Sequence, residues 1–178
     1  MNTPKVVSSE NVFSNKWINV RHDKLTLDND VKQDYFVVDG SKRLVAILAI
    51  TDDNKVVLVK QHRHPIKKVT IDIPGGGIED GELSIDAAKR ELLEETGYTS
   101  DEISELLYYY PDSGQKECVK HVFLARKLNK KEPKQDITER INIILEDIEK
   151  LYEELLAGKL NESTLMISLI FAKQKKLI

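Results

Sequence analysis

Cysteine and tryptophan occur once each in the 178-residue chain, as Cys118 and Trp17. One cysteine cannot close an internal disulfide, so stability must come from a packed core. Aromatic residues are only 6% of the chain, and no apolar run approaches the roughly 20 residues of a membrane-crossing helix. Met1-Asn2-Thr3-Pro4 begins nothing like a signal peptide, and the expected address is the cytoplasm. An excess of either charge is missing too. With 27 Lys and Arg against 30 Asp and Glu, the net charge of -3 excludes a general attraction to nucleic acid or to anionic membranes. Any phosphate bound here must be met by metal and by local basic groups. What the chain does have is length and 40% hydrophobic residues, enough for one substantial core, and a single domain over 1–178 is expected.

No repeat, long linker or low-complexity segment interrupts it. Residues 12 to 39 read as short extended segments, with Arg43 to Ile50 and Lys55 to Gln61 as strands joined by the turn-rich Asp52-Asp53-Asn54. Thr70 to Ile73 predicts a short strand feeding a glycine run, and Leu106 to Tyr110, Cys118 to Ala125 and Ile141 to Leu145 predict three more. Helices are expected over Glu146 to Ala157, ended by Gly158, and over Glu162 to about Lys173, capped by Asn161 or Ser163. Together with a helix in the middle of the chain, this implies an α/β fold with a mixed sheet covered on two faces.

That middle helix carries the chemistry. The spacing predicts Glu91, Glu94 and Glu95 on one side and Ile85, Ala88 and Leu92 on a separate apolar stripe. Like charges crowded in this way are costly unless cations sit among them, and carboxylates suit hard divalent ions such as magnesium. A solvated Glu-rich helix face is the plain alternative. The surroundings favour metal. Pro74-Gly75-Gly76-Gly77 precedes the helix with almost no side chain to hold a diphosphate off the backbone, Ser84 is placed to cap its start, and Gly97 closes it. Arg90 stands four residues before Glu94, at salt-bridge spacing.

From Gly76 to Tyr98 the residues follow G-x5-E-x7-R-E-U-x-E-E-x-G-U, where U is a bulky apolar residue, with Tyr98 the softest match. This resembles the signature of the Nudix hydrolases. Beyond the box, Leu58 to Arg63, Asp72 to Gly76, Tyr110 to Gly114 and Phe123 to Ala125 look in order and spacing like the ADP-ribose pyrophosphatase and nucleoside-diphosphate-sugar hydrolase branch. The resemblance implies an alpha/beta/alpha sandwich with the acidic helix in a loop-helix-loop. It implies hydrolysis of the diphosphate linkage of a nucleoside diphosphate sugar, ADP-ribose first, with Mg2+ or Mn2+ as cofactor. GDP-mannose or other nucleotide sugars, a house-cleaning activity on triphosphates or dinucleoside polyphosphates, and a non-catalytic ligand sensor are the alternatives. It also implies a homodimer paired through the strands of residues 1–40.

By the same resemblance Glu91 and Glu95 are the main metal ligands, with Glu94 an added ligand or base and the Gly75 carbonyl completing the shell. Glu82 and Arg90 look like supports of loop and helix. Glu139, with Asp136 second, is the acidic residue expected to assist the metals or the water. Arg63 resembles a phosphate-facing arginine, against the simpler reading of a strand-end salt bridge. Trp17 is placed to stack on a nucleobase, or else to pack in a core or dimer interface. Asp72, where the branch often has glutamate, and Ser113, in the segment that matches the branch's Ser-Pro-Gly, are further expected substrate-binding residues; Asp112-Ser113-Gly114 lacks that proline, which leaves the sugar open. His62 and His64 share a strand face but are too few for a zinc site. Cys118 reads as packing.

Overall fold

A computed structural model describes residues 3–40, 42–131 and 141–178. The chain gathers into two compact units, one of residues up to 43 with 110–119, the other of 44–109 with 120–178.

The first unit is a three-stranded antiparallel sheet in the order β1-β2-β3, with β1 Lys5–Ser14, β2 Asn19–Thr26 and β3 Lys32–Asp39. Arg21 on the central strand fixes it internally, its guanidinium donating to Asp23 at 3.1 Å and to Asp39 at 2.8 Å. Every residue of β1 is exposed. The extended segments expected from residue 12 therefore begin seven residues earlier, in a polar stretch whose strand state comes from pairing with β2 rather than from its own propensity.

The second unit holds β4 Arg43–Ala49, β5 Lys55–Arg63, β6 Lys68–Asp72, α1 Ser84–Thr96, β7 Tyr98–Tyr109, β8 Val119–Lys130, β9 Ile141–Asp147, α2 Ile148–Leu156 and α3 Ser163–Gln174. Its strands run in the orders β4-β8-β7 and β6-β5-β9. Val45 to Ile50 and Val56 to Val59 are buried without interruption, because these strands are covered on both faces. Side chains of a strand alternate between faces, and the core divides accordingly. Val45, Ile47, Ala49, Val57, Phe123 and Ala125 pack with Ala87, Ala88 and Leu92 of α1. Ala46, Leu48, Ile50, Val56, Leu58, Val122 and Leu124 pack with residues of α2 and α3, among them Leu151, Leu165 and Leu169. The helix–sheet–helix sandwich expected from the sequence is present.

Several boundaries differ from expectation. β7 starts at Tyr98, not Leu106, because the polar run Tyr98 to Glu105 pairs with Phe123 to Lys130 of β8. β9 runs through Asp147, whose carboxylate accepts from the backbone of Glu149 at 2.9 Å and Lys150 at 3.2 Å and so starts α2 two residues later than expected. Ser84 does not cap α1; it is the first helical residue after Leu83. Neither Asn161 nor Ser163 caps α3, which Glu162 precedes without a side-chain bond of its own. That helix is capped from a distance. Asp72, at the end of β6, accepts at Oδ1 from the backbone of Leu165 in its first turn, at 3.1 Å.

Candidate active site

β4 supplies the floor on which the glycine run lies. Val45 and Gly76 exchange backbone hydrogen bonds of 2.9 and 3.1 Å, and Ile47 donates to the carbonyl of Pro74 at 2.8 Å. A Cβ on Gly75 would overlap the carbonyl oxygen of Val45 and stand 2.8 Å from Ala46 Cα, too close for any other residue. A Cβ on Gly76 would fall 2.5 Å from Glu91 Cδ and 2.6 Å from its Oε2. Gly75 is thus required by packing against the β4 backbone before any ligand is considered, whereas a side chain at Gly76 would have to displace the Glu91 carboxylate.

Helix α1 brings the box onto this floor by burying Ala87, Ala88 and Leu92. Gly97, at φ 71°, closes it with its N–H on the Leu93 carbonyl at 2.9 Å. Arg90 is the hub. Its guanidinium donates to both oxygens of Glu82, at 3.0 and 2.9 Å, to Glu91 Oε1 at 2.8 Å, to Glu94 Oε2 at 3.1 Å and to the Gly77 carbonyl at 2.9 Å. The expected Arg90–Glu94 bridge along the helix is therefore one arm of a larger clamp. It raises the Arg90 pKa, chiefly through Glu82, and holds the Glu82 carboxyl below its ordinary value. Glu82 also accepts from the Glu79 N–H at 2.9 Å, which pins the loop to the helix.

The three box glutamates differ in exposure. Glu95 is only 5% exposed and accepts the Gly75 N–H at Oε2, 2.8 Å away. Glu91 and Glu94 are half-buried beside Arg90. Glu95 and Glu91 thus stand at Gly75 and Gly76, with Glu94 joined to them through Arg90, carboxylate oxygens of the kind hard divalent cations take. Among the described residues no three acidic, histidine or cysteine groups are already gathered around one point. A carboxylate has about four lone-pair sites, so one hydrogen bond to Arg90 or Gly75 does not use up its capacity to ligate.

Next to this lies a cavity of about 240 Å³, lined by Gly75 and Gly76 together with Arg63, Asp72, Lys120 and Thr164. Asp72 is buried, with its Oδ1 accepting from Ile73 at 2.9 Å and Leu165 at 3.1 Å. Burial raises its pKa to about 6, with the backbone bond and the nearby Lys120 opposing. Its described role is thus to hold α3 at the cavity wall. Lys120 and Thr164 were not expected from the sequence. Lys120 sits in a run rich in β-formers, and only the meeting of β8 with the start of α3 shows its place.

Trp17 and Ser113 belong to the first unit, and Trp17 is 74% exposed, which removes core packing as its role. Its ring lies under Lys16 Nζ at 4.0 Å. His62 and His64 are exposed with ring centroids 6.5 Å apart and join no metal-binding group among the described residues. Cys118 is buried. Glu139 and Asp136 lie outside the described residues. No described helix is long and apolar enough to cross a membrane.

Residues 41–161 match the family model of the NUDIX domain, and residues 4–38 match that of the nucleoside diphosphate sugar hydrolase N-terminal domain. The chain is 35% identical over 154 residues to the ADP-ribose pyrophosphatase of Bacillus subtilis (strain 168), covering 84% of this chain and 83% of that protein. It is 34% identical over 128 residues to the methanol dehydrogenase activator of Bacillus methanolicus, covering 72% and 69%. A crystal structure of an ADP compounds hydrolase shares the fold with a TM-score of 0.89 at 20% identity, covering 98% of this chain and 95% of that one.

Proposed function

The chain belongs to the Nudix hydrolase family, and from that premise we propose that it hydrolyses the diphosphate linkage of nucleoside diphosphate sugars, ADP-ribose foremost, with Mg2+ as the working ion. The observation that carries this reading is the Arg90 clamp. It ties the loop residue Glu82 to Glu91 and Glu94 on a helix whose Glu95 is bound to Gly75, a glycine that also lines a cavity with two cationic side chains.

Glu91, Glu94, Glu95 and the Gly75 carbonyl are the groups assigned to hold the metal, with Glu139 assisting. A bound divalent cation supplies charge neutralisation on the phosphoryl oxygens and acidifies water. Manganese is a substitute of the same ligand preference. Glu94, Glu95 or Glu139 takes the proton of the attacking water. Arg63 grips a phosphoryl group, while Trp17 and Ser113 are assigned to the nucleotide's far parts. Asp72 supports the wall of the sugar-phosphate end.

The nucleotide-sugar reading is supported outside the box by the N-terminal family match and by the name of the Bacillus subtilis relative. A relative of nearly equal identity bears the name of a dehydrogenase activator, so identity alone does not assign substrate. A homodimer is part of the proposal. β1 is exposed throughout and displays Val6, Val7, Val12 and Phe13, a long apolar-bearing strand of the kind that pairs with a second chain. Action on soluble nucleotides in the cytoplasm completes it.

The test is product analysis with Mg2+ across ADP-ribose, GDP-mannose, ADP-glucose, dinucleoside polyphosphates and triphosphates. AMP with ribose 5-phosphate as the fastest-formed products is expected. A preference for another nucleotide sugar would move the specificity and keep the chemistry. Turnover of triphosphates alone would refute the reading.

A further inference from the structure

Two cations line the cavity beside the box, Arg63 from the end of β5 and Lys120 from the start of β8. Lys120 is half-buried, and Thr164 takes one of its three donors, with Nζ 3.0 Å from Oγ1. Neither Arg63 nor Lys120 forms an ion pair among the described residues, although the chain as a whole carries net negative charge. The single carboxylate of the lining, Asp72, accepts at one oxygen, Oδ1, from the backbone of Ile73 and Leu165 and feels the charges of Lys120 and Arg63. The Lys120 ammonium, whose described hydrogen bond goes to a neutral hydroxyl and whose electrostatic partner in the lining is Asp72, keeps further donors with which to meet an arriving anion.

Thr164 is itself fixed. It is 3% exposed, its Oγ1 lies 3.0 Å from the Tyr109 hydroxyl, and its carbonyl accepts from Ser168 at 2.6 Å. The amine is thus held on a rigid post rather than left on a flexible stem, which lowers the ordering cost of an added contact. At about 240 Å³ the cavity is smaller than the roughly 300–1,000 Å³ that encloses a drug-sized ligand whole, so it takes one end of a larger substrate.

The geometry points to Lys120, oriented by Thr164, as a second cationic contact for the substrate's phosphoryl oxygens, acting in the same cavity as Arg63 and setting the affinity for the sugar-phosphate end. The inference rests on the nucleoside diphosphate sugar reading above. Arg63 offers a planar fork and Lys120 a compact point charge, so together they hold a phosphoryl group from two directions while the metal-binding carboxylates lie beyond Gly75 and Gly76.

The experiment compares Lys120→Met, Lys120→Arg and Thr164→Val with the unchanged protein, by ADP-ribose hydrolysis in Mg2+ and by calorimetric binding of ADP-ribose in EDTA. Since a hydrogen bond to a charged group contributes about 1.5–3 kcal/mol, Lys120→Met is expected to weaken binding by roughly 10- to 100-fold and to raise KM more than it lowers kcat. Lys120→Arg restores most of the loss. Thr164→Val gives a smaller rise in KM with the charge still present, a result that simple electrostatic attraction would not give. Unaltered binding and KM in Lys120→Met, with a normal melting temperature, would overturn the inference while leaving the hydrolase reading standing. Lys120-dependent binding without turnover of any nucleotide sugar would instead sink the hydrolase reading and keep the site. Absence of ADP-ribose binding by the unchanged protein would overturn the inference as well.

Discussion

Two carboxylate sites of the same unit are built on opposite principles. Around Arg90, Glu82 sits in a partly solvated clamp where the guanidinium holds its pKa below the ordinary 4.5. At the cavity wall Asp72 is buried among backbone groups, and burial lifts it from 3.8 to about 6. The adjacent guanidinium favours the ionised form of Glu82, whereas lack of water around Asp72 disfavours its charge. Charge is thus favoured beside the guanidinium that ties loop to helix and disfavoured where a carboxylate anchors α3.

The largest effect expected from this contrast is on catalysis. Glu95→Gln keeps an acceptor for the Gly75 N–H but removes a negative charge from the box, and kcat should fall by about 10²- to 10⁴-fold with the melting temperature almost unchanged. Next comes Arg90→Met, which leaves Glu82, Glu91 and Glu94 without their shared cation. Urea unfolding should register a loss of about 2–4 kcal/mol, less than for a fully buried pair because the group is partly exposed. A variant as stable as the original would mean the clamp is ornamental to the fold.

The two sites also respond oppositely to pH. The Glu82 contribution is present above its unfolded-state value and lost as pH falls through its lowered pKa. Asp72 runs the other way. Its native pKa is raised, so the native state binds the extra proton and stability declines as pH rises from 3.8 to about 6, then levels off. Asp72→Asn keeps a carbonyl for Leu165 and removes the titration. Chemical denaturation should show the variant gaining on the unchanged protein across that window, by on the order of 2–3 kcal/mol. Parallel stability curves would show that Asp72 is not desolvated as described.

The smallest change in stability belongs to Trp17→Ala. A side chain this exposed should alter stability by no more than about 0.5 kcal/mol, while a rise in KM would support nucleobase stacking. Stability and KM both unchanged would remove Trp17 from the site.

Much of this was legible in the residues. The Gly97 end of α1 and the Arg90–Glu94 spacing are local features, and the runs Val45 to Ile50 and Val56 to Val59 declare themselves by β-branched and aliphatic content. Polar strands did not. Lys5 to Asn11 and Tyr98 to Glu105 are strands because a neighbour pairs with them, which composition cannot report. The α3 cap was out of reach for a related reason, since the bond from Leu165 to Asp72 spans 93 residues. The burial of Glu95 was hidden as well: a run of glutamates looks solvated until the glycine turn is laid beside it. Lys120 needed the same non-local information, the approach of β8 to the start of α3.

The central claim is that the clamped carboxylates on α1 work as a metal-dependent hydrolytic site. Phosphorus NMR of ADP-ribose incubated with Mg2+ and either the unchanged protein or Glu95→Gln tests it most directly. AMP and ribose 5-phosphate are expected with the former and almost none with the folded variant; equal product from both, or none from any nucleoside diphosphate sugar with the unchanged protein, would rule out a hydrolytic role for these carboxylates.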